Sequence, residues 1–202
     1  HTKRYKNKRD WSRKMRKFAI FIWLNFALIF SACSMKNTQK IDFYELNFKK
    51  SKQNLQCNMD LPKIFLTKTD ALELSDSRNF IVFDENSVQR SVNSAKFIQR
   101  PSAMIDEMMI AALKESCVYM PVFSPKIERK LSVKLLKFGV FGDLARVQIA
   151  YEISDENSLI KSAIIEKSEF VKTPDAMAIF NALNLSTNRA ISDILEQIKG
   201  IK

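Results

Sequence analysis

A thirteen-residue apolar run, Phe18 to Phe30, decides under what conditions the rest of this chain folds. Arg16 and Lys17 give it a positive flank, and the small residues Ser31 and Ala32 follow it. Positive flank, short apolar stretch and small-residue exit are the three parts of an export signal. The run is too short to span a bilayer, because a transmembrane helix needs about 20 apolar residues. Asn25 interrupts it as well. Residues 15–32 are therefore expected to act as a leader that is cut away, so that the remainder folds in an oxidising compartment outside the cytoplasm.

The residue after the leader sharpens this. Phe30-Ser31-Ala32-Cys33 resembles the lipobox of bacterial lipoproteins, with Phe30 where that pattern usually has Leu. The resemblance implies that Cys33 becomes the first residue of the processed chain and carries acyl chains, each worth about 0.8 kcal/mol per buried CH2. Ser34, in place of Asp, favours sorting to the outer membrane by analogy with enteric bacteria. Residues 33–40 are then a lipidated cysteine and a polar tether. Residues 1–14 are basic, polar and free of apolar periodicity, and are expected to be over-extended sequence ahead of a start at Met15.

The formal charge of +11 suggests nucleic acid at first sight. Nine of the 33 Lys and Arg residues lie within residues 1–17, against Asp10 alone, so the part after the leader carries only about +3. That balance is ordinary for a solvated domain, and nucleic acid is not expected as a partner. With Cys33 assigned to lipid, Cys57 and Cys117 remain as an even pair, available for a disulfide in an oxidising space. Two buried reduced thiols are the alternative.

After the tether, the expected domain spans residues 41–202. Ile41 to Phe48 alternates with a shift, as a strand with a bulge does. Leu61 to Leu66 reads as a short strand, and Asn79 to Phe83 as a core strand. Ser87 to Ser94 alternates weakly, an exposed hairpin partner at best. Pro101 opens a helix to about Ser116, with proline at the favoured first position. Its apolar stripe of Met104, Ile105, Met108, Met109, Ala112 and Leu113 is expected to be core, a lipid-facing surface being the sharper alternative. Cys117 to Phe123 reads as another strand. Lys130–Val140, Ala145–Ile153 and Ile160–Val171 form a three-strand antiparallel meander, with turn signals at Gly139, Gly142 and Asp155 to Ser158. In its first strand Lys130, Ser132 and Lys134 share one face, which is expected to be solvated. Thr173-Pro174-Asp175 starts a long helix, with Thr173 as the expected cap, that stops at Gly200. Asn184 to Asn188 is a polar interruption where this helix is expected to break or bend. The expected fold class is α+β: a single domain with a mainly antiparallel sheet, a three-strand C-terminal meander, one middle helix, and a long C-terminal helix packed on the sheet.

Catalytic chemistry is hard to find. His1 is the one histidine, so imidazole-based triads, dyads and zinc sites are not expected. Three glycines leave no phosphate-binding loop. Asp84-Glu85, Asp106-Glu107 and Asp155-Glu156 are adjacent pairs whose members point apart, and each reads as turn or surface charge. No enzyme activity, metal or cofactor is expected.

The order of elements resembles the ABC-type transport auxiliary lipoproteins over roughly Asp42 to Lys199. The parts that carry the resemblance are the leader with Cys33, the first strand with Tyr44 and Leu46, and Phe97-Ile98-Gln99-Arg100-Pro101 before the helix. To these add the meander ending in Glu169-Phe170 and a closing helix rich in small and apolar residues (Ala176, Met177, Ala178, Ala182). The resemblance implies a lipoprotein in the outer membrane facing the periplasm, docking the MCE-domain protein of a phospholipid transporter, with phospholipid itself as a further expected partner. Another envelope assembly, inserting lipopolysaccharide or outer-membrane proteins, is the alternative.

Overall fold

The structure is a computed structural model, and it describes residues 40–49, 63–84, 86, 88–121 and 129–201. The chain divides into two compact units, His1–Lys40 and Ile41–Lys202. Only Lys40 of the first is described, and the leader, Cys33 and Cys57 lie outside the described residues.

The second unit is a single α+β domain built on an eight-stranded mixed sheet. Its strands are β1 (Asp42–Tyr44), β2 (Phe65–Leu66), β3 (Asp70–Ala71), β4 (Asn79–Phe83), β5 (Gln89–Phe97), β6 (Lys130–Phe141), β7 (Leu144–Ser154) and β8 (Leu159–Phe170). Two helices, α1 (Pro101–Glu115) and α2 (Ala176–Lys199), complete it, with a short 3-10 helix at Glu73–Asp76. The order across the sheet is β1-β5-β4-β6-β7-β8, with β2 and β3 also paired to β6. The long pairings β4·β5, β6·β7 and β7·β8 are antiparallel, whereas β1, β2, β3 and β4 join their other neighbours in short parallel stretches.

Alternation sorts the sheet into two faces. Leu131, Val133 and Leu135 of β6 and Ala145, Val147, Ile149, Tyr151 and Ile153 of β7 are buried. The helices supply the facing apolar side chains. All six residues of the Met104 to Leu113 stripe are at most 2% exposed, so the methionines are core and not a lipid-facing surface. On α2 the stripe is Ile179, Leu183, Ile191, Ile194 and Ile198. Three polar pairs on successive turns, Gln197 with Lys161, Asp193 with Lys167 and Arg189 with Glu169, fasten α2 to β8.

The hairpin between β6 and β7 turns at Gly142-Asp143. Gly142 has φ 65 while Asp143 stays at negative φ, which is what a type II′ turn requires of its first central residue. Gly139 answers a different need. A Cβ there would stand 2.9 Å from the Ile81 carbonyl oxygen, so the close approach of β4 and β6 depends on its absence. In the second turn the Asp155 carboxylate accepts from the Asn157 and Ser158 N–H groups, which hold its pKa below the usual range.

Of the two helix starts, that of α2 departs from expectation. Helix α2 begins at Ala176 and is capped by Asp175, whose carboxylate accepts from the Ala178 N–H; Thr173 is not the cap but donates its hydroxyl to that carboxylate. These contacts, the Thr173 hydroxyl first, lower the Asp175 pKa. Helix α1 has proline at its first position, as expected, and no cap from Arg100. Asp76 caps it from the 3-10 helix instead, accepting from the Ser102 N–H at 2.9 Å.

Asn184 to Asn188 does not break α2, which runs unbroken through it. Asn188 Oδ1 accepts from the Lys49 N–H at 2.8 Å, and Asn188 Nδ2 donates to the Asn47 carbonyl at 2.9 Å. A neighbouring parallel strand would bond to the same two groups, so one side chain replaces a strand beside residues 47–49. Asn184 adds to the clamp by accepting from the Asn47 N–H at 3.0 Å. Asn188→Ala is expected to cost about 2 kcal/mol, since it strands a half-buried donor and acceptor. Asn188→Asp restores only the acceptor and should recover part of that loss. Urea unfolding of the three proteins, with amide exchange read at Lys49, checks both.

Among the described residues, the segment expected as a strand from Cys117 to Phe123 shows only an isolated bridge, Tyr119 to Ile64. Its beginning belongs to the end of α1. The Cys117 N–H bonds the Lys114 carbonyl and the Val118 N–H bonds the Leu113 carbonyl, a Schellman pattern in which Cys117 takes the left-handed position at φ 62.

Candidate docking face

The helices cover one face of the sheet. Residues paired directly across neighbouring strands share a face, so the registers define the other face residue by residue. Phe83 pairs with Phe141, Phe141 with Leu144, and Leu144 with Phe170. These four apolar side chains form one continuous row across β4, β6, β7 and β8 at the hairpin end. The Phe83 and Phe141 rings stack at 4.6 Å with 10° between planes, and the Arg146 guanidinium lies 6.0 Å above the Phe141 ring. Phe170 is 58% exposed at the outer strand, and Ile164 stands on the same face further along it.

Away from the row this face is largely polar, with Ile164 and Ala150 as its apolar exceptions on β8 and β7. Lys130, Ser132 and Lys134 lie exposed on it, and Lys134 reaches Asp70 at 3.3 Å. The Ala71 N–H and this lysine lower the Asp70 pKa. Gln148 donates to Glu166 at 2.7 Å, and Lys137 sits opposite Gln148. The lysine face read from the sequence is thus real, but the aromatic row escaped that reading. Phe83, Phe141, Leu144 and Phe170 are far apart in the chain, and only strand register brings them together.

A concavity of about 920 Å³ lies at the start of α1, lined by Asp70, Glu73, Asp76, Arg100, Asp106 and Glu107 among others. Most of its charges already serve the fold. Asp76 faces Arg100 at 3.6 Å, Asp106 accepts from both the N–H and the hydroxyl of Thr69, and Glu107 accepts from Gln99. Of Asp84-Glu85 only Asp84 is described, and it accepts from the Asn86 and Val88 N–H groups and meets Arg90 at 3.4 Å. Among the described residues, no three His, Cys, Asp or Glu side chains gather as metal ligands would. No helix among them is long and apolar enough to cross a membrane.

Of the three cysteines, only Cys117 is described, and it is disulfide-bonded. In the core, the Tyr151 hydroxyl and the Ser186 hydroxyl are buried without a hydrogen-bond partner among the described residues, and burial pushes the Tyr151 pKa up.

With this geometry in hand, the chain can be set beside known proteins. No protein-family model matches it, and no curated protein is similar to it in sequence. Solved structures do share its fold. Protein XCC0632 from Xanthomonas campestris, assigned to the family DUF330, superposes with a TM-score of 0.64 at 13% identity, covering 76% of this chain and 92% of that one. An uncharacterised protein gives 0.64 at 10% identity over 79% and 99% of the two chains. The hypothetical protein CT253 from Chlamydia trachomatis gives 0.51 at 11% identity over 69% and 96%. At such identities the likeness speaks for the fold alone.

Proposed function

We propose that this chain is a non-enzymatic lipoprotein of the cell envelope, anchored through Cys33 in the outer membrane and facing the periplasm. There it serves as the docking or accessory subunit of an ABC/MCE-type phospholipid transport system. The observation that carries this reading is the succession of two parts: a leader that runs into Phe30-Ser31-Ala32-Cys33, then a domain whose described helices α1 and α2 pack on one face of the sheet and leave the other without them. The resemblance of the element order to the ABC-type transport auxiliary lipoproteins supports the choice of transporter. The half-satisfied carboxylates of the α1 cleft offer no nucleophile and base held together, which supports a binding role over a catalytic one.

Two measurements test it. The protein recovered from membranes should carry acyl mass on Cys33, and Cys33→Ala should lose both that mass and membrane retention; an unchanged mass would end the anchor reading. Affinity purification of the anchored protein should recover an MCE-domain protein. Recovery of a β-barrel protein with no MCE component would assign the chain to another envelope assembly.

A further inference from the structure

We propose that the row Phe83, Phe141, Leu144 and Phe170 is a membrane-contact surface, seated in the headgroup region of a phospholipid leaflet with Arg146 and Lys137 directed to its phosphates. The inference rests on the Cys33 anchor proposed above, and adds that the folded domain itself lies on the lipid.

Three observations support it. The first is the shape of the row, which crosses four strands and so spans about 14 Å at the usual strand spacing, a flat apolar edge rather than a pocket. The second is its chemistry. Phe and Leu side chains flanked by cations suit the water–lipid boundary, where the apolar groups bury at the headgroup–acyl junction and Arg and Lys reach the phosphates. Arg146 lies over Phe141, and Lys137 is next along the same face. Among the described residues near this end, Asp84 is already held by Arg90 and two N–H groups, Asp143 lies in the turn, and Glu169, on the helix-covered face, is held by Arg189. Glu166, further along, is held by Gln148.

The third observation is where the chain enters the sheet. Strand β1 runs parallel to β5 and starts opposite Ala95, so the chain arrives from the Gln89 end, and Gln89 pairs with Phe83 of the row. From Ala95 to Gln89 is about 20 Å along the strand, and from β1 to β4 about 10 Å across. The nine residues from Cys33 to Asp42 extend to about 30 Å. An acyl group on Cys33 and the aromatic row can therefore reach one leaflet together.

Both tryptophans, Trp11 and Trp23, precede Cys33. In a W11F/W23F background a single new indole reports its own depth. The lipidated protein is reconstituted in phosphatidylethanolamine and phosphatidylglycerol vesicles containing brominated phospholipid. The F170W reporter should lose emission and shift to the blue, I164W should lose less, and M177W, placed on the exposed first turn of α2, should lose none. An unquenched F170W overturns the proposal, as it would if a protein partner covered the row. Equal quenching of F170W and M177W overturns it too, because the anchor alone would then explain proximity. Acylation is read separately by mass. If Cys33 proves unacylated, the anchor reading fails while F170W against added vesicles still decides the contact. There, F170D should lower vesicle partitioning about tenfold relative to wild type, and an unchanged partition overturns the proposal.

Discussion

Phe80→Ala is expected to destabilise the domain by about 3–5 kcal/mol, the range for removing a buried aromatic ring from a core that cannot collapse around the gap. Phe80 is fully buried on β4, with ring centroids 5.2 Å from Tyr44 and 4.3 Å from Phe97. Tyr44 in turn meets Phe180 of α2 at 5.1 Å, and Phe97 meets Phe138 of β6 at 5.5 Å. A chain of five rings centred on Phe80 thus joins β1, β4, β5, β6 and α2. The neighbours of Phe80 cannot move inward without breaking strand register, so the cavity stays open. Urea unfolding should show a lower midpoint with an unchanged slope. Phe83→Ala is the matched comparison, because Phe83 is a half-buried ring on the opposite face of the same strand. It should cost about 1 kcal/mol, and an equal loss at both positions would contradict the two-faced sheet described here.

Breaking the disulfide at Cys117 should have an effect of similar size. If the partner is Cys57, the bridge closes a loop of about 60 residues, worth about 4 kcal/mol on the chain-entropy model. Cys57→Ser should then lower the melting temperature as much as reductant does in the wild type, and non-reducing peptide mapping should recover the two cysteines together. A Cys57→Ser protein that melts like wild type would remove Cys57 from the bridge. The backbone supplies a second reading at the same site. Cys117 sits at φ 62, where a Cβ costs about 1 kcal/mol relative to glycine. Cys117→Gly and Cys117→Ser both lose the bridge, yet the glycine variant should be the more stable by about that amount. The wild type therefore accepts a left-handed cysteine where the Schellman turn favours glycine, which fits a position chosen for its sulfur.

Elements whose signals are local were legible in the sequence. The meander from Lys130 to Phe170 alternates with period two and carries its turn residues at Gly142 and Asp155. Helix α1 declares itself by Pro101 and a stripe at three and four spacing. Errors arose where a residue's partner lies far along the chain. Strand β5 looked like a weak, exposed hairpin partner because Gln89 to Asn93 is polar on the open face. It is in fact a nine-residue strand joining β1 to β4, with Ala95 and Phe97 in the core. Asn184 and Asn188 looked like helix breakers because their amides were counted against the helix, when the structure gives them the backbone of residues 47–49. At the start of α2, Thr173 and Asp175 are both capping residue types, and the one adjacent to Ala176 takes the role. The aromatic row had no sequence signature at all, since it exists only through the register of three strand pairings.

The Asn188 clamp also sets an order of events. Residues 47–49 receive their hydrogen-bond partners from side chains about 140 positions later. Any chain that emerges N-terminus first, from a ribosome or through a membrane pore, exposes residues 47–49 long before the side chain that holds them has appeared. Closing so large a loop is a slow, late step. The segment just after β1 is therefore the part committed last, once nearly the whole length of the domain has passed.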